Sequence, residues 1–476
     1  MLWSLLGAAI SKGASFGAQL VLGWLLSKED FALYAITISW STVVMALRNG
    51  GTQRLLIQKG AQYADLAAIY LKIALIFNLV GFMLLAIAAP FLSSFYQSPP
   101  LTQMVWILAL TLPLGSASMI FQAKLSSSLE FAKIAKLAMS SAALRYTAMV
   151  GFALAGFGPI SFVLPMILVA VFETGLGWYW AGGLPASQAL TWPIIRGILR
   201  DARWIMLTAL AGALALNGDY LAISLLQSKE VLGVYFFGFQ LSLALVALIT
   251  SSLDAVLLPS FSLLSGNSVR QEAIFHRGVR LMTIGATFAC FALLIGAEPL
   301  IHYLWAGKWD SAIPVVQLLS LTMPVRLIIP ICRSILEARG EWRVVSLLFM
   351  SDGIGIIVAG AVGAWWGSLF SIAAVVSGYN LIFTLFYCGS AAFRLRTPIK
   401  NVFAPIGQTF GIGLIAVMMC FMLGSLGRFD MTNPWQGALL LAVYCVVYAG
   451  LTRLFLRESF SDLISLASGR ISESLH

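Results

Sequence analysis

Long apolar stretches separated by short polar breaks run along almost the whole of this 476-residue chain. They repeatedly reach the roughly 20 residues that a helix needs to cross a bilayer, and they lack the alternating segments of about ten residues that membrane barrels show. The pattern therefore predicts an all-α membrane protein. It places fourteen transmembrane helices (spans 1 to 14) at about 4–26, 31–50, 66–92, 102–122, 136–156, 159–181, 204–226, 232–258, 277–303, 311–334, 343–366, 368–391, 404–427 and 435–456.

The polar breaks alternate in charge along the chain. Even-numbered loops and the C-terminal tail hold 20 lysines and arginines, whereas the odd-numbered loops hold 4, namely Lys28, Lys229, Lys308 and Arg428. Loops rich in lysine and arginine stay on the cytoplasmic side of a membrane. The alternation therefore predicts that both termini are cytoplasmic. It also supports the count of fourteen, because a missed helix would scramble the pattern.

The composition agrees with a lipid environment. The chain is 60% hydrophobic and 10% charged, whereas soluble domains carry about a quarter charged residues. A net charge of +10 could indicate nucleic-acid binding, but the basic residues sit in short loops and so report topology. We expect a multi-pass membrane protein, with no nucleic acid as a partner.

Cysteine and histidine give no pattern that carries chemistry. The five cysteines lie inside apolar stretches without C-x-x-C spacing, and the three histidines form no H-E-x-x-H motif. A phosphate-binding P-loop is also missing from the sequence. We therefore expect cysteines that pack within the membrane, no metal site, no cofactor, and no hydrolase or ATPase chemistry.

A short polar signature occurs twice in corresponding places. "LSKEDFALY" at 26–34 returns as "QSKEVLGVY" at 227–235, which is 201 positions later. "LALTLP" at 108–113 returns as "LSLTMP" at 319–324, which is 211 positions later. Because six helices separate the copies, spans 1–6 and 7–12 are predicted to be parallel repeats, related by an axis along the membrane normal.

The repeat predicts how the chain divides into domains. Two six-helix lobes that rock against each other can expose a midplane cavity to either side in turn, which favours a transporter. The predicted ranges are an N-lobe at 1–182, a cytoplasmic linker at 183–203, a C-lobe at 204–393, spans 13 and 14 at 394–457, and a cytoplasmic amphipathic tail at 458–476.

Several motifs resemble a known family over about positions 1–350. "LLSKEDFALYAITISW", "NGGTQRLLIQKG", "GVYFFGFQL" and "GKWDSAIPVVQLLSL" are similar, in order and spacing, to segments of the bacterial polysaccharide repeat-unit flippases. These belong to the multidrug/oligosaccharidyl-lipid/polysaccharide exporter superfamily. The chain departs from the family at Lys28 and Ala32, where the family usually has proline and glycine, and at Arg54, where the family has a small or apolar residue.

The resemblance implies a transport function in the bacterial plasma (inner) membrane, in a multi-pass protein, and no enzymatic activity. The implied substrate is an undecaprenyl-diphosphate-linked oligosaccharide, moved from the cytoplasmic to the periplasmic (outer) leaflet for exopolysaccharide or O-antigen biosynthesis. The implied partners are this lipid-linked oligosaccharide, membrane lipids, and polysaccharide polymerase and assembly proteins.

Charged residues inside the spans are the candidate functional residues, because a charge at mid-bilayer costs about 2.5–3.5 kcal/mol on insertion scales. Arginine suits a diphosphate because its planar fork donates two parallel hydrogen bonds. The candidates for diphosphate binding are Lys12, Arg48, Arg145 and Arg326. The candidates for binding a sugar or a coupling ion are Asp219, Asn217, Glu173 and Asp352.

Depth in the membrane pairs some of these charges. Arg145 and Glu173 lie at similar depth on spans 5 and 6, and Arg326 matches Asp352 on spans 10 and 11. Two interpretations follow from this matching. Either each lobe holds one structural ion pair, or the arginines line the cavity and bind the diphosphate.

Two other functions compete with the flippase. A cation-coupled multidrug antiporter of the same superfamily predicts a smaller and more acidic cavity than this cation-rich set. A polysaccharide polymerase or membrane glycosyltransferase predicts a sizeable loop with catalytic carboxylates or histidines. The longest predicted loop, 182–203, holds one carboxylate, Asp201, so the enzyme is the least favoured.

Overall fold

The protein is all-helical in the computed structural model, which describes residues 2–58, 63–128, 130–183, 191–244, 268–426, 433–457 and 459–462. The first helices are α1 (Leu2–Leu25), α2 (Lys28–Ala46), α3 (Thr52–Gln58), α4 (Tyr63–Phe95), α5 (Pro100–Leu114), α6 (Ser116–Ser127), α7 (Phe131–Leu154), α8 (Leu164–Ala181), α9 (Trp192–Leu226) and α10 (229–244). The remaining helices are α11 (Ser268–Trp305), α12 (Ile313–Arg326), α13 (Ile329–Ala338), α14 (Trp342–Trp365), α15 (Leu369–Leu395), α16 (Ile399–Leu426) and α17 (Pro434–Phe455).

Within the described ranges, ten helices are long and apolar enough to cross a membrane, and α5 with α6 forms an eleventh span that is bent by 46°. Multi-pass membrane insertion is therefore confirmed. The other three predicted spans correspond to α1, to α2, and to a segment of which only 229–244 lies among the described residues. The count of fourteen and the cytoplasmic position of both termini stay predictions.

Several helices extend beyond the predicted spans. α9 begins at Trp192, within the range predicted as linker, and α11 begins at Ser268 instead of 277. The extra turns of α9 are amphipathic, since Ile198 and Ala202 are buried while Arg196 and Arg200 are exposed. A hydropathy reading places the end of a span at its first charges, although the helix continues past the apolar core of the bilayer.

The repeated Leu-Thr-x-Pro motifs mark breaks in two helices. α5 ends at Leu114, one residue after Pro113, and α12 ends at Arg326, two residues after Pro324. Proline removes a backbone donor and its ring clashes with the preceding turn, which ends or kinks a helix. In the first copy the Nδ2 of Asn78 donates to the hydroxyl of Ser116 at 2.8 Å, which fixes the start of α6.

The chain divides into two compact units. Unit 1 holds residues 1–236 and 346–365, and unit 2 holds residues 237–345 and 366–476. The predicted lobe and linker boundaries stay predictions.

Unit 1 buries an apolar cluster formed by α3, α4, α6 and α9. It includes Leu56, Tyr70, Ile73, Ile120 and Ala202. Close packing of such side chains helps hold membrane helices together.

Unit 2 has its own aromatic core. Phe237 of α10 stacks on Trp309 with the ring centroids 3.9 Å apart. The hydroxyl of Tyr448 in α17 donates to the carbonyl of Ile284 in α11 at 2.9 Å, which fixes the last helix against the body of this unit.

Candidate functional site

Four polar side chains of unit 1 form what we call the amide cluster: Arg48, Gln53, Gln122 and Glu173. The Nε2 of Gln53 donates to the Oε1 of Gln122 at 3.5 Å, and the Nε2 of Gln122 donates to the Oε2 of Glu173 at 3.5 Å. Removal from water is the larger electrostatic effect on the Arg48 guanidinium, and the charge of Glu173 is the second. Part of the Arg48 side chain nevertheless reaches the surface, and the other three side chains are half-buried. The cluster therefore combines one cation with two amides that a carboxylate orients.

Local breaks in the helices position this cluster. Arg48 opens a 3₁₀ turn that ends at Gly51, whose φ of 69° favours glycine. Gln122 lies on α6, beyond the break at Gly115. The break frees carbonyl groups at the end of α5, and the hydroxyl of Thr174 on α8 donates to the carbonyl of Leu114 at 2.9 Å.

The chemistry of the amide cluster suits a ligand with both anionic and hydroxyl groups. The guanidinium of Arg48 can donate two parallel hydrogen bonds to phosphate oxygens. Glutamine amides both donate and accept hydrogen bonds, as sugar hydroxyls require.

Arg145 lies beside two tyrosines. Its charge acts on the buried Tyr34, and its Cζ lies 5.7 Å from the ring centroid of Tyr146. Its Nε is buried without a hydrogen-bond partner in the described part of the chain. In the described part of the chain Glu173 accepts a hydrogen bond from Gln122, and whether Arg145 and Glu173 act as a structural ion pair or as cavity groups stays a prediction.

Arg145 contacts one end of a buried group of rings, which we call the aromatic cluster: Phe31, Tyr34, Phe162, Tyr220, Tyr235 and Phe236. Tyr34 stacks on Phe162 with the centroids 4.3 Å apart and meets Phe236 edge-on at 5.7 Å. Tyr220 packs edge-on against Phe236 at 5.0 Å and against Tyr235 at 6.0 Å. The rings thus join α2, α9 and α10 around one apolar centre.

Asp219 lies at the other end of the aromatic cluster. It is 1% exposed. Its Oδ2 accepts from the hydroxyl of Tyr235 at 2.8 Å, and its Oδ1 accepts from the backbone N–H of Tyr220 at 2.9 Å. Tyr34 and Tyr235 are the final residues of the repeated sequence signature, so each copy contributes a tyrosine to the aromatic cluster.

The predicted site residue Asn217 joins two helices. Its Nδ2 donates to the hydroxyl of Thr42 on α2 at 3.1 Å and to the carbonyl of Ala213 at 3.2 Å. Asn217 and Asp219 therefore lie on one helix, but they contact different neighbours and do not join the amide cluster.

The remaining candidates are placed separately. Arg326, in unit 2, donates to the Oδ1 of Asn380 on α15, and Asp352 is buried on α14 in unit 1. Their pairing stays a prediction. The side chain of Lys12 lies outside the described residues, so its role as a cavity cation also stays a prediction.

Reasoning from charge alone missed Gln53 and Gln122. Both are neutral, and Gln122 lies at the end of a predicted apolar span. The signal that could have identified them is a hydrogen-bonding amide inside an apolar stretch, since a buried polar group needs a partner.

The fold is similar to that of solved helical membrane transporters. A solved structure of the lipid II flippase MurJ, in the inward closed conformation, aligns with a TM-score of 0.78 over 96% of this chain and 99% of that chain, at 11% identity. An inward-facing multidrug resistance MATE family transporter of the MOP superfamily aligns with a TM-score of 0.64 over 81% of this chain and 94% of that chain, at 15% identity.

The chain belongs to the polysaccharide biosynthesis protein family, whose model matches residues 21–314. The succinoglycan biosynthesis transport protein ExoT of Rhizobium meliloti is 22% identical over 475 residues, which cover 98% of this chain and 95% of ExoT. The lipopolysaccharide biosynthesis protein WzxC of Escherichia coli is 22% identical over 384 residues, which cover 77% of this chain and 76% of WzxC. The family resemblance and the multi-pass inner-membrane location predicted from the sequence are confirmed.

Proposed function

We propose that this protein is a flippase that moves an undecaprenyl-diphosphate-linked oligosaccharide from the cytoplasmic to the periplasmic leaflet. The observation that carries the proposal is the amide cluster, in which two glutamine amides lead by hydrogen bonds to Glu173, whose charge acts on Arg48. Transport relatives such as ExoT, and the MurJ-like fold, support the same class of function. In this proposal the movement of two lobes exposes a midplane cavity, which holds the substrate head group, first to one side of the membrane and then to the other.

The physical need for cations supports the assignment. A lipid diphosphate carries charge that hydrocarbon cannot solvate, so its path must supply compensating groups. We place Arg48 at the diphosphate, because Glu173 links its charge to the glutamine amides that suit sugar hydroxyls. Lys12, Arg145 and Arg326 are proposed to serve further along the path.

A cation-coupled multidrug antiporter is the second candidate, because a MATE transporter shares the fold. That function favours an accessible acidic cavity. In unit 1 the most buried candidate acid, Asp219, already accepts hydrogen bonds from Tyr235 and from the backbone of Tyr220. The amide cluster therefore favours the flippase.

Replacing Arg48 tests the proposed function. Arg48→Gln keeps polar bulk but removes the charge, and a hydrogen bond to a charged group is worth about 1.5–3 kcal/mol. We expect export of polymer to fall by about tenfold or more, with lipid-linked oligosaccharide accumulating and the protein remaining at its normal level in the membrane. Arg48→Lys should retain part of the activity.

The matched control is Arg196→Gln, an exposed arginine on the amphipathic start of α9. It should export at the unmodified rate. Full export by Arg48→Gln, or loss of export only because the protein disappears from the membrane, would contradict the assignment.

A further inference from the structure

The repeated Ser-Lys-Glu signature forms a reciprocal pair of salt bridges. The Nζ of Lys28 lies 3.0 Å from the Oε1 of Glu230, and the Nζ of Lys229 lies 3.4 Å from the Oε1 of Glu29. The lysine of each copy therefore pairs with the glutamate of the other. This exchange, in which residue i contacts j while j contacts i, is the contact pattern of a two-fold related interface.

The charged residues of both copies lie at the N-terminus of a helix. The hydroxyl of Ser27 accepts from the N–H of Asp30 at 3.1 Å, and the carboxylate of Asp30 accepts from the N–H of Ser27 at 2.8 Å, which forms a capping box at α2. The hydroxyl of Ser228 accepts from the N–H of Val231 at 3.4 Å at the start of α10. Caps of this kind fix the direction in which the charged side chains leave the two helices.

The backbones beneath these charges are in close contact. A Cβ added to Gly233 would lie 1.9 Å from the carbonyl oxygen of Lys28. Lys229 also donates to the hydroxyl of Ser98 in the turn between α4 and α5. The start of α10 belongs to the second copy in sequence, yet as far as Phe236 it is part of unit 1.

We infer that Lys28, Glu29, Lys229 and Glu230 form an outer latch, which holds the N-terminal ends of α2 and α10 together. The latch lies on the side of the odd-numbered loops and opens during transport. The inference rests on the alternating access proposed above. The exposure of the glutamates supports a contact that breaks in each cycle. Glu29 and Glu230 are 62% and 71% exposed, and exposed ion pairs are weak and screened by solvent.

Thiol labelling from outside the cell tests the latch independently of transport. Ala35 on α2 is fully buried and lies one turn beyond Ala32, whose backbone Gly233 approaches. We would measure how fast Ala35→Cys reacts with a membrane-impermeant maleimide, subtracting the labelling of the parent protein, whose native cysteines are mostly buried. Lys28→Glu with Lys229→Glu removes both attractions and adds repulsion, and should raise this rate about fivefold or more.

Two further variants make the result specific. Exchanging all four charges, with Lys28→Glu, Glu29→Lys, Lys229→Glu and Glu230→Lys, should restore the slow rate. Lys133→Glu is the control, because Lys133 pairs with Glu130 only three residues away, and it should leave the rate unchanged. An unchanged rate in the double reversal, or labelling that occurs only from the cytoplasmic side, would overturn the latch.

Cross-linking tests whether the latch must open. Lys28→Cys and Glu230→Cys, joined by a short cleavable thiol reagent, should stop polymer export, and cleavage should restore it. Export at the full rate by cross-linked protein would overturn the inference. The two proposals fail separately: normal export by Arg48→Gln contradicts the substrate assignment, whereas the labelling rates report only on the latch.

Discussion

Gly233→Ala should destabilise the protein, although the same change at an ordinary helical position is favourable. Alanine is preferred over glycine in a helix interior by about 1 kcal/mol. At Gly233, however, the new Cβ would lie 1.9 Å from the carbonyl oxygen and 2.9 Å from the carbonyl carbon of Lys28. Real Cβ atoms essentially never approach within 3.0 Å of another heavy atom, and the backbone of α2 cannot rotate away as a side chain can.

The starts of α2 and α10 must therefore separate by about 1 Å or more, which exceeds the gap at which much of the dispersion energy is lost. Overpacking of this kind costs about 1–3 kcal/mol, so it outweighs the gain in helix propensity. We expect thermal unfolding in detergent to occur a few degrees lower than in the parent protein. The separation also stretches the outer latch, so Ala35→Cys should label faster in the same variant.

Gly151→Ala is the matched control, because Gly151 lies within α7 and nothing approaches its added Cβ within 4 Å. It should unfold at the parent temperature or slightly above. Gly233→Val should be worse than Gly233→Ala. If Gly233→Ala is as stable as Gly151→Ala, the close approach of the two helices does not exist and the reasoning fails.

Two further changes test the interior polar contacts of unit 1. Tyr235→Phe removes the hydroxyl that donates to Asp219 at 2.8 Å. Because the buried carboxylate loses this donor, the free energy of unfolding should fall by about 1–3 kcal/mol. Tyr179→Phe, at an exposed tyrosine, should have no effect. Asn78→Ala removes the 2.8 Å bond to Ser116 and should lower stability by a similar amount, about 1–3 kcal/mol. Unchanged unfolding temperatures would show that these contacts do not hold α9 and α6 in place.

The sequence predicted the membrane-spanning helices and the family because both depend on patterns along the chain. Apolar length alone identifies a span, and the ordered motifs identify the relatives. The repeated signature also leads to equivalent contacts in its two copies. Lys28 and Lys229 lie in equivalent places, and each pairs with the glutamate of the other copy.

The pairing of interior charges could not be predicted in the same way. Counting residues along a helix gives the depth of Arg145 and Glu173, but it does not give the direction in which each side chain leaves its helix. That direction depends on how the helices rotate and pack. Glu173 faces Gln122, whereas Arg145 faces Tyr34, and no periodicity within a single helix encodes either partner.

The break at Gly115 also bears on how the chain enters the membrane. α5 has 15 residues and α6 has 12, which gives lengths of about 22 and 18 Å at a rise of about 1.5 Å per residue. Each is shorter than the hydrocarbon core of about 30 Å, so neither half forms a complete span by itself. The carbonyl of Leu114, at the end of α5, accepts a hydrogen bond from the hydroxyl of Thr174. Thr174 is synthesised only after α7. The bent conformation of this span is therefore completed by tertiary contacts after synthesis has moved on, and not at the moment of insertion.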